Sequence, residues 1–127
     1  MSQINYTFEY NGQSYEFDVR DAENSEKLED AIDQMRETEK KLPKTGRLSA
    51  IYKANCQMIR DFFDTIFGEG AGVKICGERL HVTAHYDAYK AFIDFANPQR
   101  DDVMSYSNTF AQYSNRQQRR AAAKAKK

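Results

Sequence analysis

Apolar and polar residues alternate at the start of the chain: Ile4, Tyr6, Phe8 and Tyr10 form one apolar run, and Tyr15, Phe17 and Val19 form a second, with Asn11-Gly12 between them. A period of two marks strands, and Asn-Gly supplies the two positive-φ residues of a type I′ turn, so residues 4–19 are predicted to form a β-hairpin. A two-residue turn sets the register, pairing Tyr10 with Gln13, Phe8 with Tyr15, Tyr6 with Phe17 and Ile4 with Val19. All the large apolar side chains then share one face. A lone hairpin is marginal in water, so this face needs a cover, supplied either by the chain's own helices or by a partner's surface.

The period changes after Asp21. Leu28, Ile32, Met35 and Leu42 fall on one face of a helix predicted over residues 22–42, with Asp21, Asn24 and Ser25 competing for the N-cap and Pro43 and Gly46 ending it. A second helix over 48–67 carries a wider stripe of Leu48, Ile51, Tyr52, Met58, Ile59, Phe62, Phe63, Ile66 and Phe67. A stripe that broad is covered from more than one side, which makes this the expected central element. Gly68-Glu69-Gly70-Ala71-Gly72 then breaks the helix. Three glycines in five residues imitate a phosphate cradle, but the run follows a helix rather than a strand and lacks the Gly-Lys-Ser/Thr ending, so a C-cap and flexible connector is expected. Residues 73–82 fit either a short strand or an irregular link around Gly77. Helical spacing resumes through Tyr86, Tyr89, Phe92, Ile93 and Ala96, giving a helix over 84–96. Asn97-Pro98 reads as an N-cap and first-turn proline opening a fourth helix over 98–113, with Val103, Tyr106, Phe110 and Tyr113 on its apolar face; the same dipeptide also suits a kink in one longer helix. The expected fold class is α+β, mainly helical: an N-terminal β-hairpin packed on a bundle of three to four helices.

Charge divides the chain. Residues 115–127, NRQQRRAAAKAKK, hold six of the nineteen Lys and Arg and no acid, whereas the preceding 114 residues hold the other thirteen and all nineteen Asp and Glu. A single acidic domain over 1–114 and a basic C-terminal tail over 115–127 are therefore expected. The tail serves either as a solubilising extension or as an interaction arm in which Arg116, Arg119 and Arg120, at helical spacing, clamp phosphates or an acidic protein surface. Nucleic acid is the less favoured partner, because the tail has no aromatic residue to stack on bases and the acidic body repels a polyanion. No segment approaches the roughly 20 consecutive apolar residues of a membrane helix, and MSQINYTFEY lacks the layout of a signal peptide, so no membrane association and a soluble intracellular chain are expected. Two cysteines, Cys56 and Cys76, are too few for a disulfide framework and are expected to be reduced.

No residue set points to catalysis. Cys56, Cys76, His81 and His85 are the metal-like set, but nineteen residues separate the cysteines where structural zinc sites use two to four. Asp61 and Asp64, Glu37 and Glu39, and Asp101 and Asp102 are the spacings of ordinary helix surfaces, with no nucleophile framed beside them. Neither an enzymatic activity nor a metal or other cofactor is expected.

Four stretches carry a family resemblance: FEYNGQSYEFDVRDAENSEKLEDAI, KLPKTGRLSAIYKANCQMIRDFFDTIFGEG, DAYKAFIDF and the closing NRQQRR. Together they resemble tail assembly chaperones of long-tailed, siphovirus-type bacteriophages and Gram-positive prophages, over nearly the whole chain. Pro98 departs from the smoother C-terminal helix of that pattern. The resemblance implies an assembly factor that binds and solubilises the tape measure protein and helps recruit tail tube protein in the bacterial host's cytoplasm. It also implies absence from the mature virion and leaves room for homo-oligomers. The partner contacts expected on this reading are Tyr6, Phe8, Tyr15 and Phe17 on the hairpin, Phe62, Phe63 and Phe67 on the second helix, and Arg116, Arg119 and Arg120 on the tail. Two other functions fit the residues: a nucleic-acid-binding phage accessory protein using the basic tail, or a structural tail or head-tail joining protein using the hairpin's apolar face.

Overall fold

A computed structural model describes the backbone of residues 4–125 and the side chains of residues 4–106. In chain order the elements are β1 (Thr7–Tyr10), β2 (Gln13–Glu16), α1 (Ala22–Lys41), α2 (Leu48–Phe67), α3 (Ala71–Cys76) and α4 (Val82–Ala125). The fold is α+β and mainly helical, with a two-stranded antiparallel hairpin followed by four helices.

The hairpin has the expected register. Phe8 pairs with Tyr15 and Tyr10 with Gln13, Asn11 and Gly12 take φ of 52° and 75°, and the Phe17 N–H extends the ladder by donating to the Tyr6 carbonyl at 2.8 Å. Phe8, Phe17 and Val19 are buried while Glu9, Ser14 and Glu16 face water. The three N-cap candidates divide the work of joining hairpin to helix. Asp21 caps α1 by accepting from the N–H groups of Glu23 and Asn24. Asn24 and Ser25 instead reach back, donating to the carbonyls of Asp18 and Val19 at 3.1 and 2.5 Å.

Helices α1 and α2 form an antiparallel pair, and α2 is the central element, packed against α1, α3 and α4 and burying Cys56, Met58, Ile59, Phe62, Phe63 and Ile66. The glycine run is more ordered than a flexible connector. Gly68 ends α2, Gly70 opens α3, and Gly72 lies buried inside that helix, whose residues 71–76 replace the strand or irregular link considered for this stretch. Asp64 ties the two helices together by accepting from the Gly72 N–H at 2.7 Å.

At Asn97-Pro98 the alternative of one longer helix holds instead of helices over 84–96 and 98–113: α4 is a continuous 44-residue helix, and its backbone runs on through residue 115, where the basic segment begins. Pro98 sits inside it, exposed, and cannot donate to the Asp94 carbonyl; a helix-interior proline costs roughly 3 kcal/mol. The helix survives because the next residue is anchored. Gln99 is fully buried, its Oε1 accepts from the Val19 N–H at 2.9 Å, and its Nε2 donates to the carbonyls of Asn5 and Phe17 at 2.9 and 3.1 Å. One amide thus clamps both ends of the hairpin to α4. Among the described residues no buried side-chain nitrogen or oxygen lacks a hydrogen-bond partner. Replacing Gln99 by leucine strands those backbone groups in an apolar setting and is expected to cost about 1–3 kcal/mol. Denaturant midpoints are the check, with the exposed neighbour Asn97→Ala expected to change little.

Candidate partner-binding surface

The aromatic residues meet around Phe92. Its ring lies within 6 Å, centroid to centroid, of Phe8, Phe17, Phe62, Phe63, Phe67 and Phe95, the first five in edge-on or near edge-on contact. Hairpin, α2 and α4 contribute to one aromatic core. This corrects the expectation that Phe8, Phe17, Phe62 and Phe63 meet a partner: all four are at most 3% exposed and spend their surface on each other. The flanking three are half-buried. Tyr15 stacks on Phe67 at 4.5 Å, and Tyr6 is covered by the Arg20 guanidinium, 4.4 Å from its ring, which also forks onto Asp18. Arg116, Arg119 and Arg120 lie on the backbone of α4, and their side chains fall outside the described ones.

An open apolar surface lies instead at the other end of the α1/α2 pair. Met35 and Leu42 of α1, Met58 and Ile59 of α2, and Tyr86 and Tyr89 of α4 line a groove of about 300 Å³, with Glu39 and Asn55 at its edge. The hydroxyl of Tyr86 donates to Asn55 Oδ1 at 2.8 Å, and the Asn55 amide donates to the Ile51 carbonyl, which fixes the groove's polar rim. Burial raises the phenol pKa of both tyrosines, so they present neutral, half-apolar faces. Beside the groove, the first turns of α2 expose Leu48 at 59% and Tyr52 at 41%, because α1 and α2 extend here beyond the point that α4 covers. A wider hollow along α1 is lined by Asp33, Arg36, Glu37, Glu39, Lys40 and Lys44, charged residues of both signs.

His81, His85, Asp61 and Asp64 each make hydrogen bonds within the fold. His85 is fully buried; its Nδ1 faces the His81 carbonyl at 2.8 Å, and its Nε2 accepts from Arg60 Nε at 3.0 Å, which describes a neutral imidazole. Arg60 continues to the carbonyls of Gly77 and Glu78, so it secures the link between α3 and α4. His81 accepts from the Ala84 N–H and caps α4. Asp61 accepts from Gln57, and Asp64 serves Gly72 as described. Among the described residues no three His, Cys, Asp or Glu side chains are grouped as a metal site would require. Both cysteines are free and buried.

Two consequences can be measured. Burial pushes the Cys56 thiol up and the Cys76 thiol up to about 12, against the opposing Arg60 charge, so neither forms thiolate near neutrality. Native protein should resist iodoacetamide at both positions and take two adducts once unfolded, as counted by mass spectrometry. Burial, reinforced by the Arg60 charge, also holds the His85 pKa below its ordinary 6.5, overriding the His81 carbonyl that favours the charged form. Unfolded chain therefore takes up a proton that the native chain refuses. The stability from this site is complete above about pH 6.5 and declines as pH falls below it, by up to about 1.4 kcal/mol per pH unit. Denaturation between about pH 7 and pH 5 should show that slope, flattened in His85→Gln.

The groove, Arg60 and Gln99 did not stand out in the sequence pattern, and His85 stood out there only as part of the metal-like set. Gln99 did carry a signal, as a polar residue on the stripe Phe92, Ala96, Gln99, Val103 where an apolar one is expected. The groove carried none, since Met35, Met58 and Tyr89 have the spacing of any core-facing residue. Among the described residues no helix is long and apolar enough to cross a membrane. The chain matches no curated protein and no solved structure. Residues 11–123, from the hairpin turn to the last turns of α4, do match a family of unknown function, and the chain belongs to that family, DUF6673.

Proposed function

We propose that this protein is a tail assembly chaperone of a long-tailed bacteriophage or Gram-positive prophage. It binds the tape measure protein in the host cytoplasm, keeps it soluble, helps recruit tail tube subunits and departs before the virion is complete. The observation that carries the reading is the open groove of Met35, Leu42, Met58, Tyr86 and Tyr89, continued by exposed Leu48 and Tyr52. A long, largely helical client needs an apolar channel into which one face of a helix can settle, with anchors at helical spacing. Methionines adapt such a channel to many segments of one client. The family resemblance of the hairpin, α1 and α2 stretches supports the same reading.

The test is co-expression with the tape measure protein. Client soluble only when this chain is present is the expected result; client equally soluble alone would end the proposal. Leu48→Asp with Tyr52→Asp should weaken capture at least about tenfold while leaving thermal unfolding unchanged, because each large apolar side chain buried on binding is worth about 1.5–3 kcal/mol.

A further inference from the structure

The sign of the charge along α1 reverses at one end of the groove. Residues 22–39 carry seven acids and two bases, whereas residues 40–53 carry five bases, Lys40, Lys41, Lys44, Arg47 and Lys53, and no acid. All five bases are exposed. Leu42, which lines the groove, is also the residue that ends α1, so the chain passes from the groove straight into the turn bearing Lys44 and Arg47. Glu39 lines both the groove and the hollow that contains Lys40 and Lys44, so the two openings share a wall. Lys40 pairs with Glu37 at 3.0 Å, but among the described residues Lys41, Lys44 and Arg47 form no ion pair. The start of α2 adds to the positive sign: Arg47 makes no side-chain cap bond and no acid stands in the first turn, so nothing in that turn offsets the positive end of the helix.

We infer that the groove takes an amphipathic helix whose acidic residues cluster at one end. Its apolar stripe lies on Met35, Leu42, Met58 and Tyr89, and its acidic end lies over the turn at 43–47, beside exposed Leu48 and the unpaired Lys44 and Arg47. Charge fixes the direction. Turned end for end, the same helix would set its acids against Asp33 and the acid-rich remainder of α1. The apolar floor also selects a helix over a nucleic acid, which would meet the bases but leave the groove, Leu48 and Tyr52 unfilled. The groove as the client's seat is the reading proposed above, and the charge preference rests on it.

Fluorescence anisotropy of the full chain with labelled synthetic helices tests it. The probes are two peptides of about 18 residues, roughly 27 Å long as helices, sharing one apolar stripe at three- and four-residue spacing and carrying either glutamates or lysines at one end. The glutamate peptide should bind at least about tenfold more tightly at low salt, and the gap should close as ionic strength rises to about 1 M and screening shortens to about 3 Å. Lys44→Glu with Arg47→Glu should reverse the preference without lowering the thermal unfolding temperature, because both positions are exposed and an acid suits the start of α2. Leu48→Ser with Tyr52→Ser should weaken both peptides alike. Equal affinity for the two peptides, binding of neither, or a preference unchanged by the double reversal would each overturn the inference. So would salt-sensitive binding of single-stranded DNA that is lost in Lys44→Glu with Arg47→Glu yet undiminished by Leu48→Ser with Tyr52→Ser, in favour of a polyanion. Co-expression with the tape measure protein keeps the two readings apart: a client held soluble while both peptides bind equally would remove the charge preference alone.

Discussion

Phe92→Ala should be among the most damaging single substitutions in this protein, with an expected loss of about 3–5 kcal/mol. Three things add up at this side chain. It is fully buried, so its whole apolar surface returns to water on unfolding. It contacts rings from the hairpin, α2 and α4 itself, so its removal opens a cavity that no single neighbour can move to fill. Its edge-on partners also lose aromatic contacts that area alone does not count, each worth about 0.5–1.5 kcal/mol. Because a domain of this size holds only about 5–15 kcal/mol in total, the variant should be partly unfolded near body temperature, with the hairpin releasing first. Circular dichroism against temperature and denaturant measures the loss. Phe95→Ala is the internal comparison: Phe95 touches Phe8 and Phe92 but is only half-buried, so its loss should be clearly smaller. Equal losses would mean that the rings do not act as a unit centred on Phe92.

That core also explains which parts of the protein were legible in its sequence. The hairpin was, down to the pairing of Phe8 with Tyr15, because alternation and an Asn-Gly turn leave one register in which every apolar residue shares a face. The limits of α2 were as well, set by Pro43 and Gly46 before it and Gly68 after it. Periodicity does not say who covers an apolar face. Phe8, Phe17, Phe62 and Phe63 suited a partner's surface as well as a core, and only the meeting of three elements at Phe92 decides for the core. Local rules also failed at Pro98, where proline and a preceding asparagine are a sound helix start in isolation. The hydrogen bonds of Gln99 to Asn5, Phe17 and Val19 join residues at least 80 positions apart and hold the helix together across the proline. The groove was hidden for a related reason: residues of α1, α2 and α4 line it together, and the meeting of three helices is not written in any one segment.

The second large effect is expected at Gly72, whose meaning reverses between sequence and structure. Within a run of three glycines it looks like one more flexible position. In the fold it is the point of closest approach between α3 and α2: a Cβ built there would lie 2.5 Å from the Arg60 carbonyl oxygen and 2.6 Å from the Arg60 Cα. Both are backbone atoms of a central helix, so no side-chain rotation relieves the clash. Gly72→Ala must push α3 away from α2, lengthening the 2.7 Å bond from the Gly72 N–H to Asp64 and loosening the Arg60 contacts to Gly77, Glu78 and His85. A loss of about 3 kcal/mol is expected, the upper end for overpacking, because the strain is coupled to buried hydrogen bonds. Gly70→Ala separates this cause from the general cost of replacing glycine. Gly70 has φ of 89° but open space around it, so only local backbone strain of about 1–2 kcal/mol applies. Urea unfolding of the two variants at equal m-value should rank Gly72→Ala well below Gly70→Ala, and in Gly72→Ala the Cys76 thiol should become reactive to iodoacetamide while the protein is still folded. If the two variants were equally stable and Cys76 stayed protected in both, the close contact between α3 and Arg60 would not be what holds this side of the protein shut.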